Sequence, residues 1–377
     1  MRTQLPAGMP RVFGRILRHF TRRRIVFVSG EPNTQGEVYR VSHLLQALSP
    51  DLFYLHALTR DTLYENTALA THCSVLWIWR MPRTPALAQV IAAAQQNGAK
   101  VVFDVDDLML SPAHVVPEYI EALLLGASKP ELDALFAGFG NTLAAADYCC
   151  APTATLLREM RAVCPKGRVI PNCFSADELA AAEAASRGGK PNDGFVRIGY
   201  ASGTRTHQQD FSVAYPALCA ILQRFPKVKF VCYSDTFGVE EFPEFAALHA
   251  QIEVRQSVPF AALMAEIARY DIAIAPLRAE NTFCACKSEI KWMEAALVRV
   301  PVVASPTPPY QNAIANGVTG FLAEDTAAWT DKLTQLVESA ALRKKMGEAA
   351  FAACEKNYGP ARTAAALADI LGEVLQP

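Results

Sequence analysis

Short apolar runs alternate with longer segments of helical periodicity along most of the chain. The first series of strand-like runs comprises residues 24–30, 52–58, 74–79, 100–105, 148–152 and 168–172. Segments with apolar positions at helical spacing, such as Val38 to Ser49 and Pro85 to Asn97, lie between these runs. The alternation predicts a parallel sheet covered by helices, in a doubly wound α/β domain.

A second series of the same kind follows a stretch of small and polar residues at 176–194, whose composition is typical of a linker. Its strand-like runs comprise residues 195–202, 227–235, 252–258, 271–277, 300–305 and 320–325. We therefore predict one Rossmann-like domain over residues 25–175 and another over 195–358. Two helices, at 326–351 and 360–374, are predicted near the end of the chain.

Composition narrows the classes of function. Of the 377 residues, 51% are hydrophobic and 19% charged, and the net charge is −1, so no positive field would recruit nucleic acid. No run of about 18 uninterrupted apolar residues that could span a bilayer is present in the sequence. The ten cysteines lack the CxxC spacings of a zinc site and the density of a disulfide scaffold. We expect a reduced, cytoplasmic protein.

The N-terminal segment, residues 1–24, departs from this balance of charge. Apolar side chains recur at helical spacing from Val12 to Phe20, and six arginines lie between residues 11 and 24. This pattern predicts an amphipathic helix that binds an anionic membrane surface through residues 11–24, on the inner face of the membrane. Gly14 weakens the helix, so a basic surface segment without lipid contact is the alternative.

In an open α/β sheet, ligands bind beyond the carboxyl ends of the strands, so the loops that follow each strand hold the candidate chemistry. The loop after the first strand contains Gly30 and Gly36 but lacks the GxGxxG fingerprint, which argues against a dehydrogenase. Its glycines would let an acceptor or a phosphate approach the backbone, or would only allow the chain to turn.

Three carboxylates, Asp104, Asp106 and Asp107, follow the fourth strand of the first domain. Oxygen ligands of this kind suit a divalent metal or the hydroxyl groups of a sugar. Strand alternation places Asp104 and Asp106 on one face and Asp107 on the other. Because hard-cation sites draw further ligands that this stretch lacks, we expect no metal site.

The second domain opens with a strand and the polar sequence GTRTH, residues 203–207. Gly203 gives a flexible backbone, Thr204 a hydroxyl donor, and Arg205 and His207 polar or cationic groups. Such a loop can wrap a diphosphate, with Arg205 as a planar, charge-assisted donor. Helix capping by Thr204 or Thr206 is the alternative.

Charged residues also follow the fourth strand of the second domain. The sequence KSEIKWMEAALVRVPVVAS predicts a helix and a strand, with Lys287 and Ser288 at the helix N-terminus and Lys291 and Glu294 on the same face. The helix dipole and the lysines would attract phosphates, while the carboxylate would accept hydrogen bonds from ribose hydroxyls. A solvated salt bridge of Lys291 with Glu294 or Glu289 is the alternative.

These segments resemble the retaining, metal-independent GT-B glycosyltransferases of the glycosyl transferases group 1 family. The runs KSEIKWMEAALVRVPVVASPTPPY and AIANGVTGFLAED are similar to its EAxAxGxPVVAS signature, and ADYCCAPTATLLREM and VIPNCF resemble the end of its first domain. The resemblance covers about residues 25–360. It implies two Rossmann-like, doubly wound domains facing a central cleft, with residues 359–377 as a C-terminal helix that packs back on the first domain.

The resemblance assigns a nucleotide-sugar donor to the second domain. Glu294 resembles the second, ribose-binding glutamate of the family's E-x7-E motif, whereas Cys286 stands at the position of the first. Arg205, supported by a lysine, resembles the basic pair that holds the diphosphate. The candidate donor-binding residues are Gly203, Thr204, Arg205, His207, Lys287, Ser288, Lys291 and Glu294.

The first domain would then bind a glycan or lipid-linked acceptor. Asp106 and Asp107 resemble the family's His-Asp pair, so Asp106 would face the acceptor or the donor sugar. The candidate acceptor-side residues are Gly36, Tyr39, Arg40, Asp104 and Asp107. The candidate catalytic residues are Asp106, Arg205 and Lys287.

The resemblance implies sugar transfer with retained configuration and without a metal cofactor, in the assembly of cell-surface polysaccharide or other glycoconjugates. Arg205, Lys287 and helix N-termini would stabilise the departing diphosphate. Two alternatives stay open. One is a catalytically weak GT-B binding or regulatory protein, which Cys286 would permit. The other is a nucleotide-sugar epimerase or a phosphorylase of the same architecture.

Overall fold

A computed structural model describes residues 23–114, 128–203 and 208–376 of the chain. These residues form two compact units, one from the residues up to 114 together with 130–175 and 358 onward, and the other mainly from residues 176–357. Most of the predicted basic helix at 1–24 lies outside the described residues. So do the candidate donor residues Thr204, Arg205 and His207.

The first unit contains a parallel sheet in the order β2-β1-β3-β4-β5-β6. Its strands are β1 (Arg23–Ser29), β2 (Phe53–Thr59), β3 (Val75–Trp79), β4 (Lys100–Asp104), β5 (Tyr148–Ala151) and β6 (Gly167–Val169). The central strands are apolar along their whole length because helices cover both faces of such a sheet, and Ile25 to Val28 have no exposed surface. Each predicted strand of this domain is present.

Helices precede or follow these strands as the sequence predicts. They are α1 (Gln35–Glu37), a π-helical segment (Val38–Ser42), α2 (His43–Ala47), α3 (Thr67–Thr71), α4 (Pro85–Gln96), the 3-10 segment Pro112–His114, α5 (Lys129–Ala145) and α6 (Ala154–Arg161). Thr34 begins α1, its hydroxyl accepting a hydrogen bond from the Glu37 N–H at 3.2 Å. The loop after β1 therefore leads directly into a helix N-terminus.

The second unit contains a parallel sheet in the order β12-β11-β10-β7-β8-β9. Its strands are β7 (Val196–Gly199), β8 (Val228–Tyr233), β9 (Ile252–Arg255), β10 (Ile272–Ala275), β11 (Val302–Ala304) and β12 (Phe321–Leu322). Counted from β7, this is the 3-2-1-4-5-6 order of Rossmann domains. The strands of the second predicted domain are therefore confirmed, and so is its fold class.

The helices of this unit follow its strands in the same alternation. They are α7 (Ala176–Gly188), α8 (Gln208–Phe211), α9 (Tyr215–Arg224), α10 (Leu263–Ile267), α11 (Thr282–Cys286), α12 (Ile290–Leu297), α13 (Pro308–Ala313), α14 (Thr326–Glu338) and α15 (Ala340–Tyr358). Short 3-10 segments occupy Val239–Glu241, Pro243–Ala246, His249–Gln251 and Phe260–Ala262.

Two predicted boundaries need correction. The stretch 176–194, predicted as a linker from its composition, contains helix α7, which packs on α10 and α12 and buries Ala182 completely. Alanine has the highest helix propensity of all residues, so the small residues that suggested a linker form a helix instead. The single helix predicted over 326–351 is two helices, because the Ser339 hydroxyl accepts the Leu342 N–H at 3.1 Å and starts α15.

The last helix, α16 (Pro360–Val374), belongs to the first unit. It packs on α2, and its buried residues Leu367 and Ile370 join the core formed by Ile25 and Phe27. The predicted return of the C-terminal helix to the first domain is confirmed. Within the described part of the chain, no helix is both long and apolar enough to cross a bilayer.

The cysteines all fall in the described ranges, where each is buried and none forms a disulfide. Cys73, Cys164 and Cys173 lie in loops, and the other seven lie in strands or helices. The thiols therefore serve as small apolar side chains at most of these positions.

Candidate functional site

Each sheet has a point at which the order of its strands reverses. In the second sheet this point lies between β7 and β10, and in the first between β1 and β3. Ligands of open α/β sheets bind at such points, beyond the carboxyl ends of the strands. The residues that follow these strands are therefore the candidate site of each unit.

In the second unit, a buried polar cluster occupies this position. Asp210 in α8 has no exposed surface and accepts a hydrogen bond from the Cys284 thiol at 3.1 Å. Tyr200, which follows β7, and Tyr310 in α13 are buried beside it. Buried polar groups of this kind are retained at a cost, so the cluster at the switch point is a candidate site, although the Tyr200 ring also packs in the hydrophobic core.

The two tyrosines of this cluster are held in their neutral form. Burial, followed by the negative charge of Asp210, raises the pKa of Tyr200. Burial raises the pKa of Tyr310 as well, with further contributions from the nearby Glu289 and Glu294. Both phenols therefore keep a proton to donate at neutral pH.

Glu294 lies in the second turn of α12 and is 6% exposed. Its neighbour Glu289 stands at the N-cap of the same helix and is 8% exposed. The predicted alternative of a solvated salt bridge does not describe either carboxylate, because both are buried. Cys286, four residues before the start of α12, has no exposed surface.

The structure corrects the predicted position of Lys287. Helix α12 begins at Ile290, while Lys287 is the C-cap of the short helix α11 in an extended conformation. Lys287 therefore does not share a helical face with Lys291 and Glu294, although Lys291 and Glu294 lie three residues apart in α12. The Lys287 ammonium lies 4.8 Å from the centre of the Phe283 ring, and Ser288 lies between the two helices.

The loop after β7 is described only as far as Gly203. The Ser202 hydroxyl donates to the Thr236 carbonyl at 3.1 Å, which fixes the start of the loop. Beyond β11, the Ser305 hydroxyl accepts the Leu277 N–H at 2.9 Å. The buried Thr307 hydroxyl has no hydrogen-bond partner among the described residues. This hydroxyl, which can donate or accept a hydrogen bond, lies at the carboxyl edge of the sheet.

In the first unit, Arg40 and Asp104 form a fully buried ion pair. The guanidinium donates to both carboxylate oxygens, at 3.0 and 2.8 Å, and to the Ile170 carbonyl at 2.6 Å. Asp104 also accepts the Trp77 indole N–H at 3.1 Å. Because neither side chain has exposed surface, this corrects the acceptor-side assignment of Arg40 and Asp104. They tie the helical segment after β1 to the sheet.

Arg80, directly after β3, is the centre of the partly exposed charges at this edge. Its guanidinium lies 3.0 Å from Glu31, 2.9 Å from Asp106 and 2.6 Å from Asp107. Burial alone would lower the pKa of Arg80, but the negative charges of the three carboxylates raise it by more. The pKa of Arg80 is therefore higher than usual. The expectation that Asp106 and Asp107 point to opposite faces is wrong, because β4 ends at Asp104.

Gly36 lies against this group. A side chain there would meet the Trp79 ring at 2.8 Å and the Asp106 carboxylate at 3.4 Å. The Trp79 indole in turn donates to Asp106 at 3.2 Å. Tyr39 is buried on the edge of the His43 ring, so it packs in the unit and presents little surface to an acceptor.

Sequence reasoning missed several of these residues. Asp210 follows two glutamines and Cys284 stands among apolar residues, so neither sequence context gave a signal of a buried pair, and Arg80 is preceded by an uninterrupted apolar strand. A signal for Arg80 was available, since a lone arginine at the carboxyl end of a strand lies where ligands bind. The burial of Arg40 depends on a partner 64 residues away.

The fold has close counterparts among solved structures. A sucrose-phosphate synthase from Thermosynechococcus elongatus superposes with a TM-score of 0.66 at 14% identity, over 94% of this chain and 99% of that one. HepE from Anabaena, solved in complex with UDP-glucose, gives a TM-score of 0.66 at 13% identity, over 93% and 100%. A Rickettsia africae glycosyltransferase gives 0.63 at 13%, over 95% and 100%. These likenesses establish the GT-B fold class.

The chain matches no curated protein sequence. A family model described as "Glycosyl transferases group 1" matches residues 196–339, which include β7 to β12 and the buried cluster with Glu294. The family match is thus confined to the second domain, while the fold shared with the solved structures extends over both domains.

Proposed function

We propose that the protein transfers a sugar from a nucleoside-diphosphate sugar to a hydroxyl of a glycan or lipid-linked acceptor, with retained configuration and without a metal. The observation that carries the proposal is Glu294, a buried carboxylate beside the switch point of a domain that matches the family. HepE, a structure of the same fold, is a complex with UDP-glucose, which supports a nucleotide-sugar donor. We expect the role to lie in polysaccharide or glycoconjugate assembly.

In this reaction the bond between the anomeric carbon and the diphosphate oxygen breaks, and a bond to the acceptor oxygen forms on the same face. The acceptor hydroxyl gives its proton to the departing diphosphate oxygen. Negative charge develops on the leaving diphosphate, so cations and N–H groups placed there lower the barrier. We assign this role to Arg205 and Lys287, with the N-terminus of α12 and the tyrosine hydroxyls as further donors.

The first unit would bind the acceptor at the carboxyl edge of its sheet. Asp106 and Asp107 are 18% and 28% exposed, and Arg80 holds both in fixed positions. Three carboxylates around one guanidinium leave an excess of negative charge, which suits the hydroxyl groups of a sugar better than a phosphate. We therefore assign the acceptor contact to the sugar part of a glycan or lipid-linked acceptor.

A turnover assay with a panel of nucleotide sugars tests the proposal. The panel is incubated with the purified protein, with and without EDTA, and free sugar and nucleoside diphosphate are measured with and without acceptor glycans. We expect one donor to be consumed, an acceptor to speed its consumption, and EDTA to have no effect. Consumption of no donor would contradict transfer, and loss of activity in EDTA would contradict metal independence.

A binding or regulatory protein is the second candidate, because Cys286 stands where the family's first glutamate would contact the donor sugar. A buried thiol cannot accept hydrogen bonds from sugar hydroxyls as a carboxylate does. The same panel separates the two candidates. A donor that binds but is neither hydrolysed nor transferred would favour the binding protein.

The basic segment at residues 11–24 supports a place on an anionic membrane surface, next to a lipid-linked acceptor. We expect deletion of residues 1–22 to move the protein from the membrane to the soluble fraction of expressing cells. Replacing Val12, Phe13 and Ile16 by alanine should have the same effect, since it removes apolar contacts and keeps every arginine. Membrane partitioning that survives both changes would contradict this proposal.

A further inference from the structure

A cavity of about 360 Å³ opens at the amino-terminal ends of β10 and β11 in the second unit. Asp271 and Pro301, which directly precede these two strands, lie in its wall. The candidate donor site lies at the opposite, carboxyl ends of the same strands. The cavity is therefore separate from that site, and its size is within the range of small-molecule pockets.

Cations dominate the wall of the cavity. Four basic side chains line it, Lys190, Arg299, Arg343 and Lys344, against two carboxylates, Asp271 and Glu348. Four positive and two negative charges leave an excess of two positive charges, on a chain whose net charge is −1. Such a concentration of cations around one concavity attracts a doubly charged anion.

The carboxylates engage these cations only in part. Asp271 lies 3.5 Å from the Lys190 ammonium and 3.8 Å from the Arg343 guanidinium. Arg343 also donates to the carbonyls of Leu336 and Val337 at the end of α14, at 2.7 and 3.1 Å, which fixes its position. Its side chain is 15% exposed, so it is a pre-positioned donor that a ligand would not have to order.

Arg299 adds a backbone observation. Its φ is +58°, in the left-handed region that glycine adopts freely and that costs an arginine on the order of 1 kcal/mol. The guanidinium lies 3.8 Å from the centre of the Phe351 ring and 3.1 Å from Glu348, another residue of the cavity wall. Strained residues held in this way cluster at ligand sites.

We propose that this cavity binds a small phosphate-bearing anion. The guanidinium groups of Arg299 and Arg343 would contact the phosphate oxygens by paired N–H donors, and the two lysines would supply charge. The phosphate could belong to free phosphate, pyrophosphate or a sugar phosphate, which present the same oxygens to these side chains. The proposal does not depend on the proposed transferase function.

Calorimetric titration of the full chain with phosphate, pyrophosphate and glucose 6-phosphate tests this proposal. We expect at least one probe to bind, and the double variant Lys190→Gln/Lys344→Gln to weaken it about tenfold or more, as the loss of charge-assisted contacts predicts. Lys345→Gln is the matched control, because Lys345 is an exposed neighbour that does not line the cavity. Glu294→Gln should leave this binding unchanged.

Three results would overturn the proposal. The first is that no probe binds at millimolar concentration, and the second is that the double variant binds with unchanged affinity. The third is that Lys345→Gln weakens binding as much as the double variant does, which would indicate attraction to surface charge alone. If Glu294→Gln weakened the binding of a probe and the lysine variants did not, the phosphate would bind at the candidate donor site and not in this cavity. If the double variant does not fold, as judged by circular dichroism, Lys344→Gln alone replaces it.

Discussion

Replacing Arg40 by methionine is expected to lower the free energy of unfolding by about 3–5 kcal/mol, the range found when one partner of a buried ion pair is removed. Arg40 holds both oxygens of Asp104, and both side chains are fully buried. Without the guanidinium, the carboxylate keeps the Trp77 indole as a donor but loses its counter-charge, and the Ile170 carbonyl loses its partner. Urea unfolding, followed by circular dichroism, measures the loss.

Arg168→Met is the matched control in the same unit. Arg168 pairs with Glu373 at 2.5 Å, but the two side chains are 47% and 39% exposed. Exposed pairs of this kind contribute about 0–1 kcal/mol, so this variant should unfold close to the wild type. Equal stability of Arg40→Met and Arg168→Met would contradict the structural role given to Arg40, and would return it to the acceptor site.

The second large effect is expected from Glu294→Gln. The substitution keeps the shape of the side chain and removes the charge that would accept hydrogen bonds from ribose hydroxyls. Loss of a hydrogen bond to a charged group should weaken nucleoside-diphosphate affinity by about tenfold or more. Turnover of the nucleotide sugar at low donor concentration should fall by at least the same factor.

Glu266→Gln is the control for Glu294→Gln. Glu266 is 7% exposed, against 6% for Glu294, and lies in α10, where it pairs with Arg255 at 2.5 Å. We expect this variant to lose stability and to bind the nucleotide as the wild type does. If Glu266→Gln weakened nucleotide binding as much as Glu294→Gln does, the effect would reflect a general loss of stability of the domain. The proposed contact of Glu294 with ribose would then be wrong.

The sequence predicted the fold well because both sheets are parallel and covered by helices. Strands such as β1 and β3 are buried on both faces, so they appear as short, uninterrupted apolar runs that need no knowledge of their partners. The boundaries of helices rich in small and polar residues were harder to predict. Residues 176–188 have small and polar residues that suggest a linker, but their alanines also favour a helix. Packing on α10 and α12 stabilises the helix, and the sequence alone does not reveal that packing.

The candidate site was only partly predictable. The position of Glu294 in a helix followed from its spacing, but the break between α11 and α12 that separates it from Lys287 depends on local capping. Whether an arginine is a ligand or a core residue depends on burial, which the pattern around Arg40 does not reveal. Arg80 collects carboxylates from two loops, a grouping that only the folded sheet edge creates.

In the proposed function, the second domain holds the nucleoside diphosphate of a sugar donor. Calorimetric titration of the purified protein with UDP, GDP and ADP, with and without EDTA and repeated on Arg205→Ala, tests this binding. We expect one nucleotide to bind with an affinity that EDTA does not change and that the substitution lowers. A folded protein that binds none of the three would contradict a nucleotide-sugar donor.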